Sequence, residues 1–267
     1  MNLPIFQVDA FTDQIFGGNP AAVCPLEHWL SDDILQNIAA ENNLSETAFF
    51  KKRDDLYEIR WFTPQAEVEL CGHATLAAAH VLFDHFKFRG NHLVFESMYS
   101  GKLEVSKNNE LLTLDFPVDQ IEPALPPDHL IESLGMRPVE IWRGKTDYLV
   151  YFASQEDIEE IRPDFGMLKR VECRGVIITA PGYDCDFVSR FFAPKVGVNE
   201  DPVTGSAHTS LVPFWAHRLN KLEFEATQLS ARGGFLQCRL SGDRVLISGQ
   251  ACTFMRGSIN LPFLNSK

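Results

Sequence analysis

Arg60-Trp61-Phe62-Thr63-Pro64 recurs in altered form as Arg190-Phe191-Phe192-Ala193-Pro194, and each pentad follows a short strand-like run, LYEI in one case and DFVS in the other. The echo continues downstream in register. Gly72-His73-Ala74 matches Gly205-Ser206-Ala207, and Gly101-Lys102-Leu103 matches Gly234-Phe235-Leu236, both at an offset of 133 residues (205 − 72 and 234 − 101). At that same offset LEVSKNNELLTLDF lies over LQCRLSGDRVLISG. Both segments alternate as strands do around a turn, Asn108-Asn109 in one and Ser241-Gly242-Asp243 in the other. Two copies of one long unit are too few for a solenoid and predict a pseudo-twofold pair of domains, an arrangement in which binding sites tend to fall between the halves.

The stretch between the copies carries Pro117, Pro123, Pro126 and Pro127, which cannot continue a helix or a central strand. The first repeat domain is therefore expected over residues 1–118, with 260–267 packing back onto it, and the second over 126–259. Capping and periodicity predict helices at 31–41 (Ser31 as N-cap), 72–86, 128–134 (ended by Gly135), 155–168 and 205–219. Most of the remainder reads as strand. CGHATLAAAHVLF, from Cys71, is apolar nearly all round, which marks a helix enclosed by other elements. GSAHTSLVPFWAH holds the same place in the second copy. The expected fold class is α+β, two pseudo-symmetric domains each built as a barrel-like shell of strands around a central helix.

The chain has 267 residues, with 45% hydrophobic and 22% charged side chains, the composition of an ordinary globular protein. It carries 36 acidic against 24 basic side chains, a net charge of −12, which opposes a nucleic-acid partner. MNLPIFQVDAFTDQIFGG lacks the basic start and apolar run of a secretory signal, and no stretch is long and apolar enough for a spanning helix. A cytoplasmic location is expected and a membrane partner is not. The six cysteines are scattered without a CxxC pair and are read as free thiols. His73, His80 and His85 are too loosely spaced for a metal motif and HExxH is absent, so no metal is expected. GxGxxG, Walker A and GxSxG patterns are absent too.

The two central helices begin at Gly72-His73 and at Thr204-Gly205-Ser206, where small residues let a ligand approach unpaired backbone N–H groups that favour an anion. Taken singly, each glycine only allows a tight strand-to-helix turn. Its presence at both repeat-related positions favours a site for a small carboxylated substrate. Asp201 is either a turn residue before Pro202 or a site carboxylate, and Ser206 either a plain N-cap or a ligand group. Glu46 lies between a predicted helix and the strand-like TAFF. Asn43-x-x-Glu46 imitates a capping box, but such a box should precede a helix, so the residues alone leave Glu46 open between a solvated carboxylate and a base. Cys71 precedes the first helix start, where the dipole favours a thiolate, yet a small buried cysteine is the commoner meaning of such a position.

VDAFTDQIFGGNPAAV, NLSETAFF, RWFTPQAEVELCGHATLAAAH, RFFAPKVGVNEDPVTGSAH and the closing ISGQA, in that order over nearly the whole chain, resemble the PhzF-like family of phenazine biosynthesis, whose members have the diaminopimelate-epimerase fold. The resemblance implies isomerase chemistry without a cofactor. It also implies that Glu46 is the general acid/base, and that Gly72, His73, Asp201, Gly205 and Ser206 bind the substrate. Racemases and epimerases of this fold use a cysteine ahead of each central helix. Here Cys71 stands in what looks like the first place, and Val203-Thr204-Gly205 leaves the second without one. A same-face proton shift can use one group that removes and returns the proton, whereas inversion needs two. A one-base isomerase using Glu46 therefore leads. A two-base racemase or epimerase using Cys71 and Asp201 follows, and a non-catalytic small-molecule binding protein is third. A homodimer is admitted.

Overall fold

The computed structural model describes residues 2–261. The chain divides into two units, one formed by the residues up to Asp115 together with those from Ser248 onward, the other by Phe116–Ile247. The first runs through β1 (Asn2–Ala10), β2 (Asn19–Leu26), α1 (Asp32–Asn42), β3 (Glu46–Arg53), β4 (Leu56–Phe62), β5 (Glu67–Val68), α2 (Gly72–His80), β6 (His92–Ser97), β7 (Gly101–Asn108) and most of β8 (Leu111–Pro117). Its strands alternate in sense: β2 lies parallel to β3, β3 antiparallel to β4, β4 parallel to β6, and β6 antiparallel to β7. Parallel neighbours cannot be joined by a tight turn. Accordingly α1 fills the crossover from β2 to β3, and α2 the crossover from β4 to β6.

The strands sort their side chains onto two faces, as the period of two requires. On one face Ala22, Cys24 and Leu26 of β2 and Phe49 of β3 pack with Leu35, Ile38 and Ala39 of α1. Their neighbours on the other face, among them Ala21, Val23 and Ala48, are fully buried as well. α2 is buried from His73 to His80. Four of its nine residues are alanines, which bury no polar side chain and let enclosing strands come close to the helix backbone. The helix ends in a π-helical turn over Val81–His85, within the range expected from sequence.

The second unit follows with β9 (Glu122–Pro123), α3 (Leu130–Leu134), β10 (Glu140–Arg143), β11 (Asp147–Tyr151), α4 (Gln155–Glu160), α5 (Phe165–Leu168), β12 (Gly175–Pro181), β13 (Phe187–Ala193), β14 (Val198–Asp201), α6 (His208–Leu219), β15 (Glu223–Gln228), β16 (Gly234–Ser241) and most of β17 (Arg244–Gly249). The strand senses repeat those of the first unit: β11 parallel to β12, β12 antiparallel to β13, β13 parallel to β15, β15 antiparallel to β16. α6 takes the place of α2. Trp215 stacks on Phe187 with ring centroids 5.5 Å apart. Pro213 lies inside the helix and leaves the Thr209 carbonyl without its usual helical donor. The Asp119 backbone N–H donates to that carbonyl instead, at 3.2 Å.

Two sequence expectations are revised by local chemistry. The helix expected over 155–168 is broken into α4 and α5, because Pro163 disfavours helical geometry at Arg162 and Asp164 starts a new helix, its side chain accepting the Met167 N–H. The second repeat, read as ending at 259, gives up its last strand: β18 (Ala251–Asn260) pairs antiparallel with β1 from Asn2↔Asn260 to Ala10↔Ala251. Ile259 and Leu261 pack against the α1 core. The remaining tail expected to pack back, 262–267, lies outside the described residues.

Candidate active site

In the first unit, Glu46 is the first residue of β3, and its register partner on β2 is Ala21. Asn43, offered by the sequence as half of a capping box, does the opposite job: it closes α1 in the left-handed conformation (φ 49°), its N–H donating to the Ala39 carbonyl. Glu46 is thus released from capping and stands on the strand face opposite the α1 core. Two residues before Ala21 on the same face is Asn19, which is fully buried.

α2 begins at Gly72, with Cys71 as its N-cap residue and no side-chain cap. Its second residue, His73, lies with Nε2 3.2 Å from Glu46 Oε2 and Nδ1 3.3 Å from Asn19 Nδ2. Cys71 Sγ is 3.5 Å from the same Nδ1. Burial pushes the His73 imidazole down to about 3, because a charged ring is poorly solvated there. The contact with Glu46 therefore joins a carboxylate to a neutral imidazole and is not an ion pair. The two atoms lie close together but do not meet hydrogen-bond geometry.

Glu46, Cys71 and His73 also hold their donor atoms within 4.8 Å of one another, which is ligand-like spacing for a thiophilic cation. Chain order hides it, since Glu46 comes from β3 and the Cys71-x-His73 pair from the start of α2. The Cys71–His73 contact is accounted for by hydrogen bonding and the Glu46–His73 contact by electrostatic proximity, and we read them that way.

In the second unit, Asp201 ends β14 and its Oδ2 accepts the Thr204 hydroxyl at 2.5 Å. Gln228 Nε2 donates to the Asp201 carbonyl and to Thr204 Oγ1, and the Thr204 N–H donates to Gln228 Oε1. Gly205 and Ser206 form a short 3₁₀ turn that leads into α6. Ser206 Oγ accepts from Arg174 Nη2 at 3.2 Å, while the Arg174 guanidinium also holds the buried Asp147 carboxylate through Nε (2.9 Å) and Nη2. The sequence reading missed Asn19, Arg174 and Gln228. Asn19 lies inside the GGNP run quoted above, whereas nothing in the local pattern marks Arg174 or Gln228. Two surface hollows of this unit, one around Pro123, Ile131 and Val139 and one around Phe214, His217 and Arg218, contain none of the expected residues.

The fold is diaminopimelate-epimerase-like. A hydroxyproline epimerase of Agrobacterium vitis shares it at a TM-score of 0.61 with 10% identity, over 98% of this chain and 94% of that one. A crystal structure of a phenazine biosynthesis protein of the PhzF family from Enterococcus faecalis superimposes with a TM-score of 0.95 at 46% identity, over 98% of this chain and all of that one. An uncharacterized isomerase of Pseudomonas aeruginosa is 53% identical over 98% of this chain and 100% of its own length. The family model described as phenazine biosynthesis-like protein matches residues 8–257. The chain belongs to this PhzF-like family and is an isomerase of that type.

Proposed function

We propose that the protein is a cofactor-independent isomerase that moves a proton within a small carboxylated substrate, Glu46 removing the proton and returning it on the same face. The observation that supports this reading is the Glu46 carboxylate set 3.2 Å from a buried, neutral imidazole at the start of α2. A carboxylate takes a weakly acidic C–H proton efficiently when it is positioned on that carbon and when nearby N–H donors stabilise the delocalised anion left behind. In this proposal Gly72 and His73, and in the second unit Asp201, Gly205 and Ser206, bind the substrate. Backbone N–H groups at the helix starts serve its carboxylate.

Candidate carboxylic acids incubated with the enzyme in D2O and followed by proton NMR provide the test. Wild-type protein should introduce deuterium at, or shift, one C–H position of a true substrate, and Glu46→Gln should not. The two-base alternative with Cys71 and Asp201 draws support from the position of Cys71 at the helix start. It would show as inversion of a stereocentre that is lost in Cys71→Ala. Binding without any exchange would leave a small-molecule binding protein.

A further inference from the structure

We propose that Asn19 is a positioning residue that locks His73 in its Nε2–H tautomer, so that the ring nitrogen nearest Glu46 already carries a proton and cannot take one from it. Asn19 is fully buried at the first position of β2, paired to Ala10 of β1. The turn before it is fixed: Gly18 has φ +58°, and a Cβ there would fall 2.1 Å from the Ala10 carbonyl oxygen. A buried amide at such a rigid point is costly without a hydrogen-bond partner, and its Nδ2 lies 3.3 Å from His73 Nδ1.

The donor inventory then decides the tautomer. An amide nitrogen only donates and an ionised carboxylate only accepts. His73 Nδ1 faces the amide nitrogen and Nε2 faces the carboxylate. A neutral ring satisfies both neighbours only with a bare Nδ1 and a protonated Nε2. The Cys71 thiol, 3.5 Å from Nδ1, is a weak donor toward the same lone pair and agrees with that choice. Turning the Asn19 amide over would call for a proton on Nδ1 and set the Nε2 lone pair against the carboxylate. An ionised Glu46 and the observed amide orientation thus agree on one tautomer, which Asn19 holds from the Nδ1 side.

The catalytic consequence rests on the acid/base reading of Glu46. A proton captured by Glu46 has no route onto His73, because Nε2 already carries one and the second nitrogen is occupied by a donor. The ring favours the carboxylate form of Glu46, which drives the proton back to the substrate rather than along a relay. Asn19 thereby makes Glu46 a self-contained shuttle.

The tautomer is read without any substrate, by nitrogen-15 NMR of protein labelled at histidine. Wild-type His73 should show a protonated Nε2 and an unprotonated Nδ1 across neutral pH. A protonated Nδ1, or a fast mixture of tautomers, overturns the proposal. In Asn19→Leu, which removes the donor, the tautomers should mix, and the titration of Glu46, followed by carbon-13 labelling of its carboxyl, should move upward by about one pH unit. An unchanged titration in a folded Asn19→Leu also overturns it. Should that variant not fold, the wild-type spectrum decides alone. Because neither measurement uses turnover, a locked tautomer in a protein whose Glu46→Gln variant still exchanges substrate protons would sink the proposed chemistry and leave the role of Asn19 standing.

Discussion

Ala21 and Glu46 are register partners across the parallel pair of β2 and β3, and that one pairing accounts for much of the candidate site. A slip by one residue would turn Glu46 into the α1 core and bring Thr47 to the His73 side. With the register as it is, Asn19, two residues before Ala21, and Glu46 point from adjacent strands toward the start of α2.

The roles of Glu46 and Cys71 separate on substitution. Glu46→Gln keeps size and shape and removes the base, so proton exchange on a true substrate should fall by at least about 100-fold with little change in fold or affinity. Cys71→Ala should retain activity within about tenfold. Steady-state rates and deuterium incorporation check both, and the reverse pattern would favour the two-base alternative.

Acid should destabilise the protein through its buried histidines. Burial lowers His73 to about 3 and His80 and His208 to about 4, from 6.5. The unfolded chain thus binds more protons than the native state between those values. Stability is fully present above about pH 6.5 and declines as pH falls toward 4. His208 is fully buried, with Nδ1 2.9 Å from the Thr204 carbonyl, and alone it should contribute a loss on the order of 3 kcal/mol at the acid end. Urea unfolding at a series of pH values should show this slope, and it should be shallower in His208→Gln.

Two glycines with positive φ should respond differently to alanine. Gly18 (φ +58°) would place its Cβ 2.1 Å from a backbone oxygen, whereas Gly101 (φ +68°) has nothing within 4 Å. Gly101→Ala should cost about 1 kcal/mol, from the left-handed conformation alone, and Gly18→Ala at least about 3 kcal/mol. Thermal unfolding of the two variants compares them directly.

Arg174 should matter for folding and for the candidate residues of the second unit. Its guanidinium neutralises Asp147, whose side chain is only 4% exposed, and donates to Ser206 Oγ. Arg174→Gln leaves a buried carboxylate without its cation and should destabilise the protein by about 2–3 kcal/mol, less than for a fully buried pair because Arg174 is partly exposed. Asp147→Asn added to it should recover part of that loss in denaturant titrations, since the unpaired charge is then removed.

The sequence by itself determined the repeat, the α+β class and the enclosed helices, because a 133-residue offset, period-two strands and an all-round apolar segment are written in chain order. Glu46 entered through family resemblance, since the residues around it fitted a capping box equally well. Tertiary structure removed the capping-box reading, by using Asn43 to end α1 and starting β3 at Glu46. It also decided that β18 belongs with β1, that Asn19 and Glu46 flank one imidazole, and that Arg174 reaches Ser206. Local sequence carries the propensity of a segment and the face a residue will occupy. Partners brought together from distant segments are fixed only when strand register and helix burial are set, and the tautomer of His73 and the electrostatics of Arg174 depend on those partners.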